Sequence, residues 1–203
     1  MPRTAPLLPG LLALLPGGLL AATVQLQVLS ATGQPQADAV LLLEPQGGRA
    51  AVKPLATAEV AQEGKQFMPA VTVLPLGTRV HFPNRDTVRH HVYSFSDAKK
   101  FEIKLYVGKP ENPVLFDRAG VVVLGCNIHD SMIGWIVVSD TPWYGKTAAN
   151  GRLQLDEVPA GRYTLRTWHP SLPVGSPGLE QAVTVGNAPL TLQQRLPAAG
   201  GAP

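Results

Sequence analysis

From Val24 onward the chain alternates. Val24, Leu26 and Val28 are interleaved with Thr23, Gln25 and Gln27, a period of two that predicts a strand with one buried face. A Gly33-Gln34-Pro35 turn leads to a second strand in the apolar run Val40 to Leu43. Residues 46–66 are more polar and loop-like, with a short strand around Thr57 to Val60. From Phe67 the pattern sharpens. "FMPAVTVLPLGTRVHFPN" predicts strand, Pro-Leu-Gly turn and strand; "HHVYSFS", "FEIKLYV", "PVLFD", "GVVVLGC" and "MIGWIVV" each predict one more. After Asp140, Asn150-Gly151 marks a tight turn before two alternating strands separated by Val158-Pro159-Ala160-Gly161. A last strand pair is predicted around Gly186-Asn187.

Short strands spaced by turn residues predict an all-β sandwich or barrel. Composition agrees. Twenty glycines and twenty prolines punctuate 203 residues, and no long helical pattern survives beyond the N-terminus. A hydrophobic fraction of 45% supports a core, and 15% charged residues is too low for a disordered chain. The formal charge of +3 is scattered, which gives no footprint for nucleic acid.

The first 22 residues carry Arg3, a leucine-rich run and small residues at Ala21 and Ala22. That layout predicts a secretory signal peptide cut near Ala22, and hence a periplasmic protein with no membrane attachment after cleavage. An uncleaved anchor is the alternative, but a span needs about 20 unbroken apolar residues, and Pro16-Gly17-Gly18 interrupts this run. Export sharpens the question posed by Cys126, the only cysteine. It has no partner for an internal disulfide, so in an oxidising compartment it needs burial or ligation.

Cys126, His129 and Met132 stand three residues apart between two strand-like runs, with Gly125 and Gly134 close by. Too few residues separate those runs for a stable helix. A tight loop with three converging side chains fits better. Thiol, imidazole and thioether together suit copper rather than magnesium or calcium, and a His₂Cys set with a weak axial Met is an electron-transfer arrangement. One more histidine is required, from His81, His90, His91 or His169. No paired carboxylates, Ser-His-Asp pattern or second metal cluster argues for an enzyme.

The "CNIHDSM" loop, of form C-x2-H-x2-M, resembles the copper loop of the cupredoxins, amicyanin in particular. Gly120, six residues before Cys126, and Gly134, two after Met132, stand where that family has glycine. "VHFPNRDTVRHHVYSF" resembles the family's upstream segment, with Val80, Phe82, Asn84 and then His90 six residues later. The resemblance, over about 66–139, implies a Greek-key cupredoxin sandwich holding one type 1 copper ion through His90, Cys126, His129 and Met132. His91 stands where the family usually has Asn and is the rival to His90. Asn84 and Asn127 become candidates to support the ligands, and Pro69, Ile128, Ile133 or Trp135 to form an apolar patch around His129.

The implied function is a periplasmic blue-copper carrier shuttling single electrons between unidentified redox partner proteins. Copper delivery or storage, or a non-redox binding module, are the alternatives. Chains of this layout also resemble proteins labelled for methylamine utilization. "TAANGRLQLDEVPAGRYTLRTWHP" and the N-terminal "VQLQVLSATGQPQADAVLLLEP" resemble a carboxypeptidase regulatory-like (transthyretin-like) sandwich. The implied organisation is a signal at 1–22, a discontinuous second sandwich at 23–55 and 141–197, and a cupredoxin domain at 56–140.

Overall fold

The computed structural model describes residues 21–198, and within them the chain is all-β, without a helix. The signal-peptide expectation therefore falls almost wholly outside the described residues. Its last two positions do not: Ala21 and Ala22 begin the first strand, and Ala22 is buried opposite Val158. Small apolar residues suit a cleavage site and the packed start of a strand equally well.

Two strands come first, β1 (Ala21–Leu29) and β2 (Val40–Pro45). Ten follow: β3 (Ala58–Glu59), β4 (Ala61–Glu63), β5 (Gln66–Met68), β6 (Val71–Pro75), β7 (Thr78–His81), β8 (His90–Ser96), β9 (Lys99–Tyr106), β10 (Val114–Phe116), β11 (Gly120–Gly125) and β12 (Ile133–Ser139). The last five are β13 (Tyr144–Lys146), β14 (Arg152–Pro159), β15 (Gly161–Trp168), β16 (Leu179–Val185) and β17 (Leu190–Arg195).

Strand pairing divides these elements. β1 lies between β14 and β17, and β2 lies in the sheet β13-β2-β15-β16, so the first two strands share their sheets with the last five. Between them, the sheet β6-β12-β11-β8-β9 faces β10-β7-β3, with β4 and β5 forming a short ribbon. Each pair of sheets closes over its own core. One contains Val24, Leu26, Val28, Leu41, Leu43 and Leu165. The other contains Phe67, Phe82, Phe116, Leu124, Cys126 and Met132.

The expected last strand pair is not a pair. β16 and β17 belong to different sheets, as do β13 and β14 across Asn150-Gly151, and β14 and β15. Gly151 does make a tight turn, with φ at +72° and its amide bonded to Ala148 O at 2.8 Å. The turn carries the chain from one sheet to the other. In a sandwich each sheet needs a facing layer, so a sharp reversal serves that crossing as readily as a hairpin.

Two runs without alternation mark where the two pairs of sheets meet. In β2, Leu41 and Leu43 enter the first core while Val40 and Leu42 face the other way. In β12, Ile136 and Val138 enter the second core while Val137 and Trp135 face the other way. These outward sides join Val71, Trp168 and Leu172 in a third apolar cluster. A strand buried on both faces reads as a continuous hydrophobic run. Lys146 Nζ donates to Val71 O at 2.9 Å and Thr141 Oγ1 to Leu43 O at 2.7 Å, which satisfies polar groups at the seam.

Two predictions follow from this packing. Trp168 is 5% exposed and its ring lies 6.3 Å from that of Trp135; Trp168→Ala is expected to cost about 3–5 kcal/mol in denaturant unfolding. Nearby, burial pushes the His169 imidazole below its ordinary 6.5, only partly offset by its bond to Ala37 O. Folding thus favours the neutral ring. That stabilisation is complete above pH about 6.5 and is lost as pH falls through the lower folded value; His169→Gln should flatten this part of the stability profile.

Candidate metal centre

Three adjacent strands deliver the donors. β11 runs antiparallel to β12, so the residues joining them, 126–132, form a loop at one end of the sheet. β8 adjoins β11 through Gly125 and Tyr93, and its first residue, His90, reaches the same end. Two glycines let the loop approach its neighbours. A Cβ on Gly125 would stand 2.7 Å from the Tyr93 ring, and one on Gly134 would stand 2.8 Å from Phe67 Cβ. Inside the loop, Met132 N donates to His129 O at 2.8 Å, which closes the turn.

The resulting cluster is His90, Cys126 and His129, whose ligating atoms all lie within 4.8 Å of one another. Cys126 Sγ is 3.8 Å from His90 Nδ1, and both residues are buried. His129 is partly exposed, and its ring centroid lies 5.1 Å from that of His90. His129 Nδ1 is buried without a hydrogen-bond partner. A buried polar atom left unpaired costs on the order of 1–3 kcal/mol. An imidazole nitrogen, a thiol and a second ring nitrogen converging on one point are a donor set that a soft or borderline metal ion fits. Met132 is 1% exposed in the same core as Cys126.

His91 points the other way. Its Nε2 bonds Glu102 Oε1 on β9 at 2.9 Å, and its ring lies against Tyr93. Successive strand residues face opposite sides, so His90 and His91 cannot both turn toward Cys126. His81 and His169 lie outside the cluster; His169 is bonded to Ser171 and Ala37.

The residues around the donors divide. Asn84 is buried, and its Nδ2 donates to Val88 O and Tyr106 O at 2.8 and 2.9 Å, pinning the segment that leads to His90. Asn127 is exposed, and no hydrogen bond of its side chain occurs among the described residues. Trp135, expected near His129, instead packs with Trp168 in the third cluster, because Trp135 and Val137 face the outer strands. Ile128 and Ile133 beside the donors are about half exposed, whereas Asp130 and Ser131 make the loop polar.

Asp86 was not legible beforehand. Its Oδ2 accepts from His90 Nε2 at 2.7 Å, four residues away in sequence. The backbone N–H of Lys65, then the His90 contact, hold its carboxyl below the usual range. A spacing of four has no special meaning outside a helix, so only the folded loop reveals the pair. Behind it, Gln62 Nε2 donates to Tyr106 Oη, which donates to Phe82 O at 2.6 Å. Burial is the main cause that pushes the Tyr106 phenol well above its ordinary value.

No protein-family model matches the chain, and no curated protein sequence matches it. Among solved structures, the chain is similar to a purple cupredoxin from Nitrosopumilus maritimus, at 23% identity over 40% of this chain and 99% of that one, with a TM-score of 0.37. It is also similar to pseudoazurin from Methylobacterium extorquens AM1, at 25% identity over 42% and 76% of the two chains, TM-score 0.35. A reduced amicyanin mutant matches at 19% identity over 50% and 98%, TM-score 0.34. At such TM-scores the likeness carries no argument; what the site can do rests on its strand order and donor set.

The loop glycines offer a direct check. Gly134→Ala forces Phe67, a fully buried core residue, to move, and is expected to cost about 1–3 kcal/mol in thermal or denaturant unfolding. With two facing all-β sheets and a Cys–His loop that meets a histidine 36 positions away at one end of three neighbouring strands, the central strands have the layout and donor cluster expected of a cupredoxin sandwich.

Proposed function

We propose that this protein is an exported, periplasmic electron carrier rather than an enzyme. It would hold one type 1 copper ion through His90, Cys126 and His129, with Met132 as the axial donor. The observation that carries this reading is the convergence of two imidazoles and the only thiol within 4.8 Å, at the end of a packed core. Copper bound there would supply a one-electron couple.

The protein's own part is to keep the donors still and dry. Cys126 and Met132 are 2% and 1% exposed, packed among Leu124, Phe82 and Ile136, so neither side chain has room to move between redox states. His129 alone among the donors reaches toward solvent, which makes its ring edge the natural exit for an electron. Ile128 and Ile133 offer apolar area beside it for a redox partner protein, while Asp130 and Ser131 set a polar rim. We read 23–55 and 141–197 as one transthyretin-like module interrupted by a cupredoxin domain at 56–140; the pairing of β1 and β2 with late strands supports that reading.

The test is visible absorption of the copper-loaded protein. An intense thiolate-to-copper band is expected, abolished in Cys126→Ser and in His90→Ala and retained in His91→Ala. Absence of the band in the wild type, or its survival without Cys126, overturns the reading. Electrochemistry separates the carrier from a delivery protein: the carrier keeps its copper through repeated reduction and oxidation.

A further inference from the structure

The carboxylate of Asp86 is held from two sides. Its Oδ1 accepts the backbone N–H of Gly64 at 2.7 Å, and its Oδ2 accepts that of Lys65 at 2.9 Å. Both amides belong to the turn between β4 and β5, where Gly64 and Lys65 have φ of +61° and +57°. Positive φ at both central residues is what a tight two-residue hairpin requires. Glycine adopts it freely, but a lysine held there costs about 1 kcal/mol or more and needs a surrounding that enforces it. Here the enforced turn aims two N–H groups at one carboxylate.

The third contact is His90 Nε2, 2.7 Å from Oδ2, with the His90 side chain fully buried and Asp86 only 18% exposed. An ionised carboxylate accepts hydrogen bonds and donates none. The imidazole proton must therefore sit on Nε2 in the neutral ring, which leaves the Nδ1 lone pair free, and Nδ1 is the atom 3.8 Å from Cys126 Sγ. We propose that Asp86 is a positioning residue for His90: anchored by the Gly64–Lys65 turn, it selects the tautomer and ring orientation that present Nδ1 to the metal. The inference rests on the metal-site reading above. A carboxylate one ring away from a bound copper ion would, by its charge, also favour the more highly charged oxidation state.

Two variants separate orientation from charge. In Asp86→Asn the amide oxygen can still accept from both Lys65 and His90, with its NH₂ turned toward Gly64 at the loss of one bond. The tautomer is retained and the charge removed. In Asp86→Ala both are lost. In the metal-free protein, ¹⁵N-histidine NMR is expected to find His90 protonated on Nε2 in the wild type and Asp86→Asn, and a mixture of tautomers in Asp86→Ala. In the loaded protein, Cu(II) affinity is expected to fall about 10–100-fold in Asp86→Ala, and the reduction potential to rise in both variants.

A wild-type His90 protonated on Nδ1 overturns the proposal. So does an Asp86→Ala protein whose tautomer, affinity and potential equal the wild type's. Should Asp86→Ala fail to fold, Asp86→Ser, whose hydroxyl is too short to reach His90 Nε2, takes its place: an unchanged tautomer there overturns the proposal, and an unchanged potential in Asp86→Asn removes only the charge effect. If the wild type shows no thiolate-to-copper band, the carrier reading fails separately, and the metal-free NMR still decides the tautomer claim.

Discussion

The site depends on the adjacency of β8, β11 and β12. Cys126 and His129 lie between two antiparallel neighbours, and His90 opens the third strand of the same sheet. Strands in a sheet lie about 4.8 Å apart, a spacing comparable to the reach of a ligand set around one ion. Residues 36 positions apart thus meet because the backbone ladder puts them side by side. The loop itself adds only the short turn from His129 to Met132. Rigid elements hold such a constellation better than a free loop would: β11 and β12 fix both ends of the short loop, and His90 is paired within β8.

The same strands also join the two halves of the molecule. β12 carries Ile136 and Val138 into the core that contains Cys126 and Met132, and Val137 and Trp135 into the cluster with Trp168. β2 mirrors this from the other side, with Leu41 and Leu43 inward and Val40 and Leu42 at the seam. A strand apolar on both faces cannot be left exposed at low cost, so the outer strands are a structural requirement of β12 as much as an appendage. The loop that carries Cys126 and His129 therefore ends on a strand locked on both sides, which limits how far its donors can move.

Most polar groups that back the donors follow the rule that a buried polar atom needs a partner. Asn84 spends its amide on two carbonyls, Asp86 takes two backbone amides and a ring nitrogen, and Tyr106 bonds to Phe82 O. His129 Nδ1 is the exception inside the cluster, left without a partner. Gln62 Oε1 and His91 Nδ1 are also without partners among the described residues, so what sets His129 apart is its place in the cluster with His90 and Cys126. It also distinguishes His90 from His91: one ring is oriented from behind by Asp86, the other is tied to Glu102 on the neighbouring strand.

Much of the architecture could be read before any coordinates. Period-two alternation marked β1, and apolar β-branched or aromatic runs between turn residues marked β8, β11 and β12, because both signals are local to the strand. The donor types and their three-residue spacing marked Cys126, His129 and Met132 as a group for the same reason. Strand partners were another matter: Gly186-Asn187 and Asn150-Gly151 look like hairpin turns, yet each joins two different sheets. Parity placed His90 and His91 on opposite faces without saying which was inward; the register of β8 beside β11 decided it. Asp86, the use of Trp135 at the seam and the exposure of Asn127 were likewise hidden. Each depends on contacts between segments far apart in the chain, and such contacts are chosen by packing and hydrogen-bond satisfaction of the whole rather than by any short stretch.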